Sequence, residues 1–258
     1  MSSKIRLGSV RPLVRYVDEC QAVVDAQFTV LPPVPGDGYA EAVPAAVDVM
    51  VEIDSTDGFH DEGQTRAPLD DDLVGRVRFD LVEPDRWWPA GMGGQSLYEL
   101  TISLMDGEEM VDRQSVTIGL ASVRREAGEN VAGPPLFRVN GKSCQLETVL
   151  MIDRIDERQL LPATGHSLLF VRDHFGTELL YQAADRAGIL LLQSIPIDPE
   201  GRVEASVLHQ IDRLAGHPCL AGWYVGHLGD VSDAVAEHLS ALDPTHQVLR
   251  ALPDGWAA

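Results

Sequence analysis

Three stretches in the first half of the chain alternate, almost residue by residue, between apolar and polar positions. Val24, Ala26, Phe28 and Val30 interleave with Asp25, Gln27 and Thr29. Val47, Val49, Val51 and Ile53 interleave with Asp48, Met50, Glu52 and Asp54, and Tyr98, Leu100, Ile102 and Leu104 with Glu99, Thr101 and Ser103. A period of two puts one face of a strand on a core and the other in water, as an antiparallel sandwich requires. Pro- and Gly-bearing stretches at 32–38 and 91–94 read as turns. The pattern predicts an immunoglobulin-like β-sandwich over residues 1–130, without the Cys…Trp…Cys pattern of antibody domains.

The second half changes period. Short apolar runs at 168–171, 189–192, 219–225 and 247–249 lack alternation, the mark of strands buried on both faces. Between them Leu179, Leu180, Ala183, Ala184 and Ala187 share a helical face, with Thr177 as N-cap and Gly188 as the stop. Val203, Val207, Leu208, Ile211 and Leu214 share another, ending before Gly216. Val231, Ala234, Val235, His238, Leu239 and Leu242 form a third, entered at Asp230 or Ser232 and closed by Asp243-Pro244. Repeated βα units predict a parallel sheet over residues 131–258. The fold class expected is multidomain: a β-sandwich followed by a partial (β/α) barrel of about five parallel strands.

Composition narrows the partners. The formal net charge of −20 argues against nucleic acid and anionic membranes, which need basic patches. Asp70, Asp71 and Asp72 read as a solvated loop, since a calcium site needs six or more converging oxygens. Cys20, Cys144 and Cys219 stand far apart and fit buried reduced thiols rather than a disulfide framework or zinc site. No apolar run has membrane-spanning length and the amino terminus has no signal-like apolar core, so the expected location is cytoplasmic. No cofactor and no metal is expected.

Several motifs carry a resemblance. Trp87-Trp88-Pro89-Ala90-Gly91-Met92-Gly93-Gly94-Gln95-Ser96-Leu97-Tyr98 resembles the Trp-Trp-Pro-x-Gly-x-Gly-x-Gln-x-Leu-Tyr signature of the immunoglobulin-like domain of glycoside hydrolase family 2, in its β-mannosidase-like branch. Asp112 and Gly119 follow at the spacing of that family's Asp…Gly-(Phe/Ile)-Arg strand, with Ala121 in place of Arg. Phe137-Arg138-Val139-Asn140-Gly141-Lys142 resembles the turn that leads into the barrel. Tyr181, Asp185 and Gly188-Ile189-Leu190, then His217-Pro218, Trp223 and Gly226, then Asp243-Pro244-Thr245, continue the likeness downstream. Residue chemistry assigns Trp87, Trp88 and Tyr98 to packing the sandwich on its neighbour, and Asn140-Gly141 to a tight turn.

The same resemblance implies a retaining glycosidase, whose two carboxyl groups stand about 5 Å apart. The family's acid/base Glu follows Gly-Asn at the end of the fourth barrel strand. Here His227 and Leu228 occupy those places, and Leu carries no proton. The family's nucleophile belongs to the seventh strand, beyond the strands this sequence supplies, and Ser194-Ile195-Pro196 stands where Glu-x-Pro is common. The expectation is a degenerate, non-catalytic protein, a pseudoenzyme with a carbohydrate-binding or assembly role. Whether it is an enzyme stays open: the alternative is an active glycosidase with re-sited or partner-supplied carboxylates. Asp230 and Asp173 are the weak catalytic candidates, with helix capping the plainer job for Asp230. Arg172, His174, Trp223 and His227 are the candidate ligand-binding residues at the barrel mouth. Partners expected are a saccharide and a second copy of the chain; the inner face of an incomplete barrel must be covered by the sandwich, by residues 143–165 or, as preferred, by that second copy.

Overall fold

The computed structural model describes residues 5–33, 43–125, 136–145, 149–152, 168–197, 206–226 and 230–250. Its first half is a sandwich of two antiparallel sheets. Strands β1 (Arg6–Val17), β2 (Gln21–Leu31) and β5 (Val74–Val82) form one, in the order β1-β2-β5. Strands β3 (Ala46–Ser55), β4 (His60–Pro68), β6 (Tyr98–Asp106) and β7 (Glu109–Ile118) form the other, in the order β4-β3-β6-β7. The alternating apolar positions of β2, β3 and β6 all point inward: Val24, Ala26, Phe28, Val49, Leu100 and Ile102 are almost fully buried. β4 is an outer strand whose residues, except Ala67, face water, which suits its run of charged and polar side chains.

A small antiparallel sheet links the halves: β8 (Val123–Arg125), β9 (Leu136–Val139) and β10 (Lys142–Gln145), in the order β10-β9-β8. The expected tight turn joins β9 to β10. Asn140 and Gly141 both have left-handed backbones, φ 47° and 80°, the combination of a type I′ hairpin turn. Lys142 pairs with Val139 across it.

The second half is a five-stranded, fully parallel sheet: β11 (Val149–Ile152), β12 (Leu168–Val171), β13 (Leu190–Ser194), β14 (Leu220–Tyr224) and β15 (Val248–Leu249). Their spatial order is their chain order. No reversal of order means no doubly wound crevice, and the sheet is a barrel segment as expected. Helices α1 (Glu178–Ala187), α2 (Val207–Leu214) and α3 (Asp230–Leu242) make the last three crossovers. α1 begins where the sequence places it: the Thr177 side chain accepts a hydrogen bond from the Leu180 N–H, and Gly188 ends it at φ 67°. α2 starts at Val207; Val203, its expected first apolar position, lies outside the described residues.

One expectation changes. Cys144 and Cys219 are buried, but Cys20 is exposed, because it lies in the tight turn between β1 and β2. In the parallel sheet every residue of the inner strands β12 and β13, and all of β14 but Tyr224, is buried, while the outer strands β11 and β15 are partly exposed. Most of 143–165, one of the segments expected to cover the sheet, lies outside the described residues.

The halves are stitched together by specific contacts. Arg11 of β1 bonds to the Asp212 carboxylate on α2 and donates to the Leu242 carbonyl, 3.0 Å, at the end of α3. Arg124 donates to the Thr245 carbonyl at 2.6 Å. Gly119 lies flat on Pro218: a Cβ there would meet the proline Cγ at 2.3 Å. Trp87 is fully buried in the barrel's core and donates its indole N–H to the Asp185 carbonyl at 2.8 Å. Trp88 joins that core, capped by Arg86 and Lys142 at 5.0 and 4.8 Å from its ring. Tyr98 packs instead inside the sandwich, so of these three aromatic residues the two tryptophans dock one half on the other.

Candidate functional site

The carboxyl ends of the parallel strands form the barrel mouth, where (β/α) barrels carry their chemistry. After β12 come Arg172, Asp173 and His174. Arg172 Nε lies 3.2 Å from the Asp173 carboxylate, with both side chains largely in water. Asp173 has φ 61°, a left-handed conformation that costs a non-glycine residue about 1–3 kcal/mol. His174 is buried and its Nδ1–H donates to the Arg172 carbonyl at 2.8 Å.

What holds this loop is Gln193 of β13, a fully buried amide in an otherwise apolar strand. Its Nε2 donates to the carbonyls of His174 and Ser194, at 2.7 and 2.6 Å. Its Oε1 accepts from the Tyr181 hydroxyl at 2.8 Å and the Gly176 N–H at 3.2 Å. All four hydrogen-bonding positions of this side chain are filled, two of them by the loop and two by α1 and β13, a rigid anchor in a low-dielectric interior. The residue was visible as the one amide in the run Leu-Leu-Leu-Gln-Ser, but its partners were not. Tyr224 also reaches the mouth. It stands edge-on to Phe170, with ring centroids 5.4 Å apart, on the opposite side of the sheet from Gln193.

The structure thus gathers Arg172, Asp173 and His174, but sets Trp223 apart. Trp223 is fully buried on the helix side of the sheet, and its indole N–H donates to Asp243 at 2.8 Å. It leaves no surface for a ligand and fixes β14 against the end of α3. His227 and Leu228 lie outside the described residues. Asp230 is the first residue of α3.

Behind the mouth lie two buried polar nodes. On α1, Glu178, Gln182 and Asp185 share a stripe at i, i+4, i+7 that faces His217. His217 Nδ1 is 2.6 Å from the Asp185 carboxylate and Nε2 is 3.4 Å from Glu178, with the Tyr181 ring 5.1 Å away. Burial works against charge on this imidazole, but the flanking carboxylates prevail and lift its pKa to about 9. Glu178, hydrogen-bonded by His217, is held down at about 2 despite its partial burial. Asp185 uses its other oxygen to accept the Cys219 N–H at 3.1 Å. Burial, then the Asp185 charge, push the Cys219 thiol well above its ordinary range, so it is no nucleophile.

Asp185, His217 and Cys219 bring their ligand atoms within 4.8 Å of one another, a donor set of the kind zinc takes. The carboxylate oxygens are already bonded to the imidazole and to a backbone N–H. As it stands the group is an ion cluster that joins α1 to the start of β14.

The second node is Asp243, which is fully buried and accepts from Trp223, the Thr245 hydroxyl and N–H, and His246. Burial alone would raise its pKa; His246 and these donors hold it far below the usual carboxylate range.

Residues 39–120 match the family model of Glycosyl hydrolases family 2. The chain is 28% identical to Beta-mannosidase B of Emericella nidulans over 219 residues, covering 75% of this chain and 25% of that protein. With Beta-mannosidase B of Aspergillus flavus it shares 27% over 184 residues, 62% of this chain and 22% of that protein. Among solved structures, a glycosyl hydrolase family 2 member from Bacteroides cellulosilyticus aligns over 96% of this chain and 35% of its own, with TM-score 0.72 and 19% identity. The exo-chitosanase CsxA of Amycolatopsis orientalis aligns over 97% and 32%, with TM-score 0.71 and 19% identity. The chain is a glycoside hydrolase family 2-like protein.

This glycoside hydrolase family 2-like chain spans about a quarter of the length of the curated relatives it matches. The motif residues that carry the likeness are those of the two nodes and of the seam between the halves: Trp87, Asn140, Asp185, His217, Trp223 and Asp243. Asn140, for one, donates to the Trp87 carbonyl and accepts from the Ser122 N–H, both at 2.9 Å. Among the described residues no helix is long and apolar enough to cross a membrane.

Proposed function

We propose that this glycoside hydrolase family 2-like chain is a non-catalytic module that binds saccharide at its barrel mouth. The observation that supports the reading is one of register. His217, Cys219 and Trp223 are locked by buried partners, so the frame of the family signature is held up to Gly226. Two residues further on, where the family places its proton-donating Glu, the chain has Leu228. An alkyl side chain supplies no general acid. Arg172, Asp173, His174 and Tyr224 are left as the polar and aromatic equipment of the mouth, with His227 beside them in sequence.

The test is hydrolysis of nitrophenyl β-mannoside, β-galactoside and β-glucuronide alongside binding of methyl β-mannoside. The reading expects no turnover above the uncatalysed rate, with sugar-dependent shifts of the Arg172, Asp173 and Tyr224 amides in nuclear magnetic resonance spectra. One observation favours a second reading: Asp173 is an exposed carboxylate held in a costly left-handed conformation beside Arg172. Turnover that disappears in Asp173→Ala or Asp230→Ala would establish an active glycosidase with re-sited carboxylates.

Self-association is proposed through the outer edges of β11 and β15, each of which pairs on one side only among the described residues. A monomeric mass in light scattering at micromolar concentration would reject it.

A further inference from the structure

Asp185, His217 and Cys219 present one oxygen, one nitrogen and one sulfur donor from rigid parts of the fold. Asp185 lies in the last turn of α1, and His217 and Cys219 stand two residues apart on the way into β14. Their ligand atoms all lie within 4.8 Å of one another, and none of the three residues is more than 4% exposed. Zinc binds nitrogen and oxygen at about 2.0 Å and sulfur at about 2.3 Å, so a tetrahedral site spaces its ligands roughly 3.3–3.5 Å apart. The 2.6 Å contact between His217 Nδ1 and Asp185 has to open by roughly 0.7 Å to admit the ion.

The surroundings already have the order of a metal site's outer layer. His217 turns Nδ1 toward Asp185 and Nε2 toward the Glu178 carboxylate, 3.4 Å away. One ring nitrogen thus faces the ligand set, and the other faces an acceptor that orients the ring, the arrangement that metal-binding histidines favour. Glu178 is fixed in turn by Gln182 at 3.0 Å and Arg213 at 3.3 Å. The thiol of Cys219 donates to the Tyr181 carbonyl over a long 3.7 Å, so little is lost when its proton leaves.

Charge agrees with this placement. Zinc displaces two protons, one from His217 Nδ1 and one from the Cys219 thiol. The ion's two positive charges then meet one carboxylate and one thiolate around a neutral imidazole, and the buried group is neutral, as burial favours. Sulfur and nitrogen donors select zinc over calcium and magnesium, which take oxygen. The His217 ring also lines a groove of about 530 Å³ between the sandwich and the helices, which gives the ion a path to its ligands.

We propose that Asp185, His217 and Cys219 form a zinc site whose ion clasps α1 to β14, with the fourth position left to water and Glu178 as the outer carboxylate. Without zinc the same atoms form the ion pair described above. The site is independent of saccharide binding at the mouth.

The test is equilibrium dialysis of the untagged, chelator-treated chain against zinc, and separately against cobalt(II), whose thiolate complexes absorb by charge transfer in the near ultraviolet. The proposal expects one zinc per chain, a thiolate charge-transfer band in the cobalt-loaded chain, and a thermal midpoint raised by zinc. Cys219→Ser removes the band and weakens zinc binding at least tenfold. Should that variant fail to fold, the double variant Cys20→Ser/Cys144→Ser leaves Cys219 as the last of the three cysteines, and it keeps both the band and the wild-type affinity. Absence of bound metal, a cobalt spectrum without the thiolate band, equal zinc binding by Cys219→Ser and wild type, or loss of the band in the double variant overturns the proposal.

Discussion

The parallel sheet has two polar regions that use the same residue types to opposite ends. Behind the sheet, Asp185 and His217 are buried and 2.6 Å apart, and every polar atom has a partner within the protein. At the mouth, Arg172 and Asp173 form a 3.2 Å pair in water, on a turn whose backbone is held in a costly conformation by Gln193 behind it. The family likeness resides in the region behind the sheet. Buried charge tolerates no vacancy, because the partner left behind is stranded in a low dielectric. A solvated pair tolerates exchange, because water takes over. The signature residues Asp185 and His217 belong to the first kind, and Arg172 and Asp173 at the mouth belong to the second.

Removing one member of the buried pair should separate the regions most sharply. Asp185→Ala leaves the His217 imidazolium and the Cys219 N–H without their acceptor, and should cost about 3–5 kcal/mol of unfolding free energy in urea titration. Asp173→Ala should change stability by no more than about 1 kcal/mol. Equal losses from both would erase the distinction.

The pH dependence of stability should follow the buried node. The folded pKa of His217, about 9, lies above its unfolded value of 6.5. Its contribution is therefore complete below pH 6.5 and is lost as pH rises through 9. Glu178 acts in the other direction: its folded value of about 2 lies below 4.5, so its contribution is complete above that and is lost as pH falls toward 2. Thermal midpoints should decline on both sides of this window, and His217→Gln should flatten the alkaline limb. An alkaline limb that survives in the variant would assign it to another group.

The Asp243 node offers a smaller effect. Trp223→Phe keeps most of the ring's volume but removes the N–H that donates to Asp243, and should cost about 1–3 kcal/mol. No change in saccharide binding should accompany it, since the ring is buried away from the mouth; loss of binding with unchanged stability would restore Trp223 to the ligand site. Thr177→Ala, which deletes the α1 cap, should cost about 1 kcal/mol.

How much was legible depended on how local each signal was. β2, β3 and β6 were readable because apolar residues recur at every second position along them. β1 was not: register shifts between Leu7 and Val10 and between Val14 and Tyr16 break its period of two. β4 carries the sequence His-Asp-Glu-Gly-Gln-Thr-Arg-Ala-Pro, and an edge strand that buries only Ala67 has no apolar period to detect. The cap and stop of α1 were readable because Thr177 and Gly188 act on their own neighbours. Trp223 was misplaced in the mouth for the converse reason. Its neighbours in sequence suggest the strand's end, but a one-residue alternation turns it to the helix side, where its partner lies 20 residues away.

Local sequence was enough to class the segments whose apolar period is unbroken, to show the change from a two-residue to a helical period near the middle of the chain, and to show Leu228 where the resembled family has a proton donor. These are properties of single positions and near neighbours, where backbone sterics and the side-chain period act. Only the tertiary structure decided that Asp185 holds His217 across 32 residues and that Trp87 bonds to α1 across 98. Burial is what turns these pairings from a solvated contact into a constraint, and burial is conferred by the packing of both halves together.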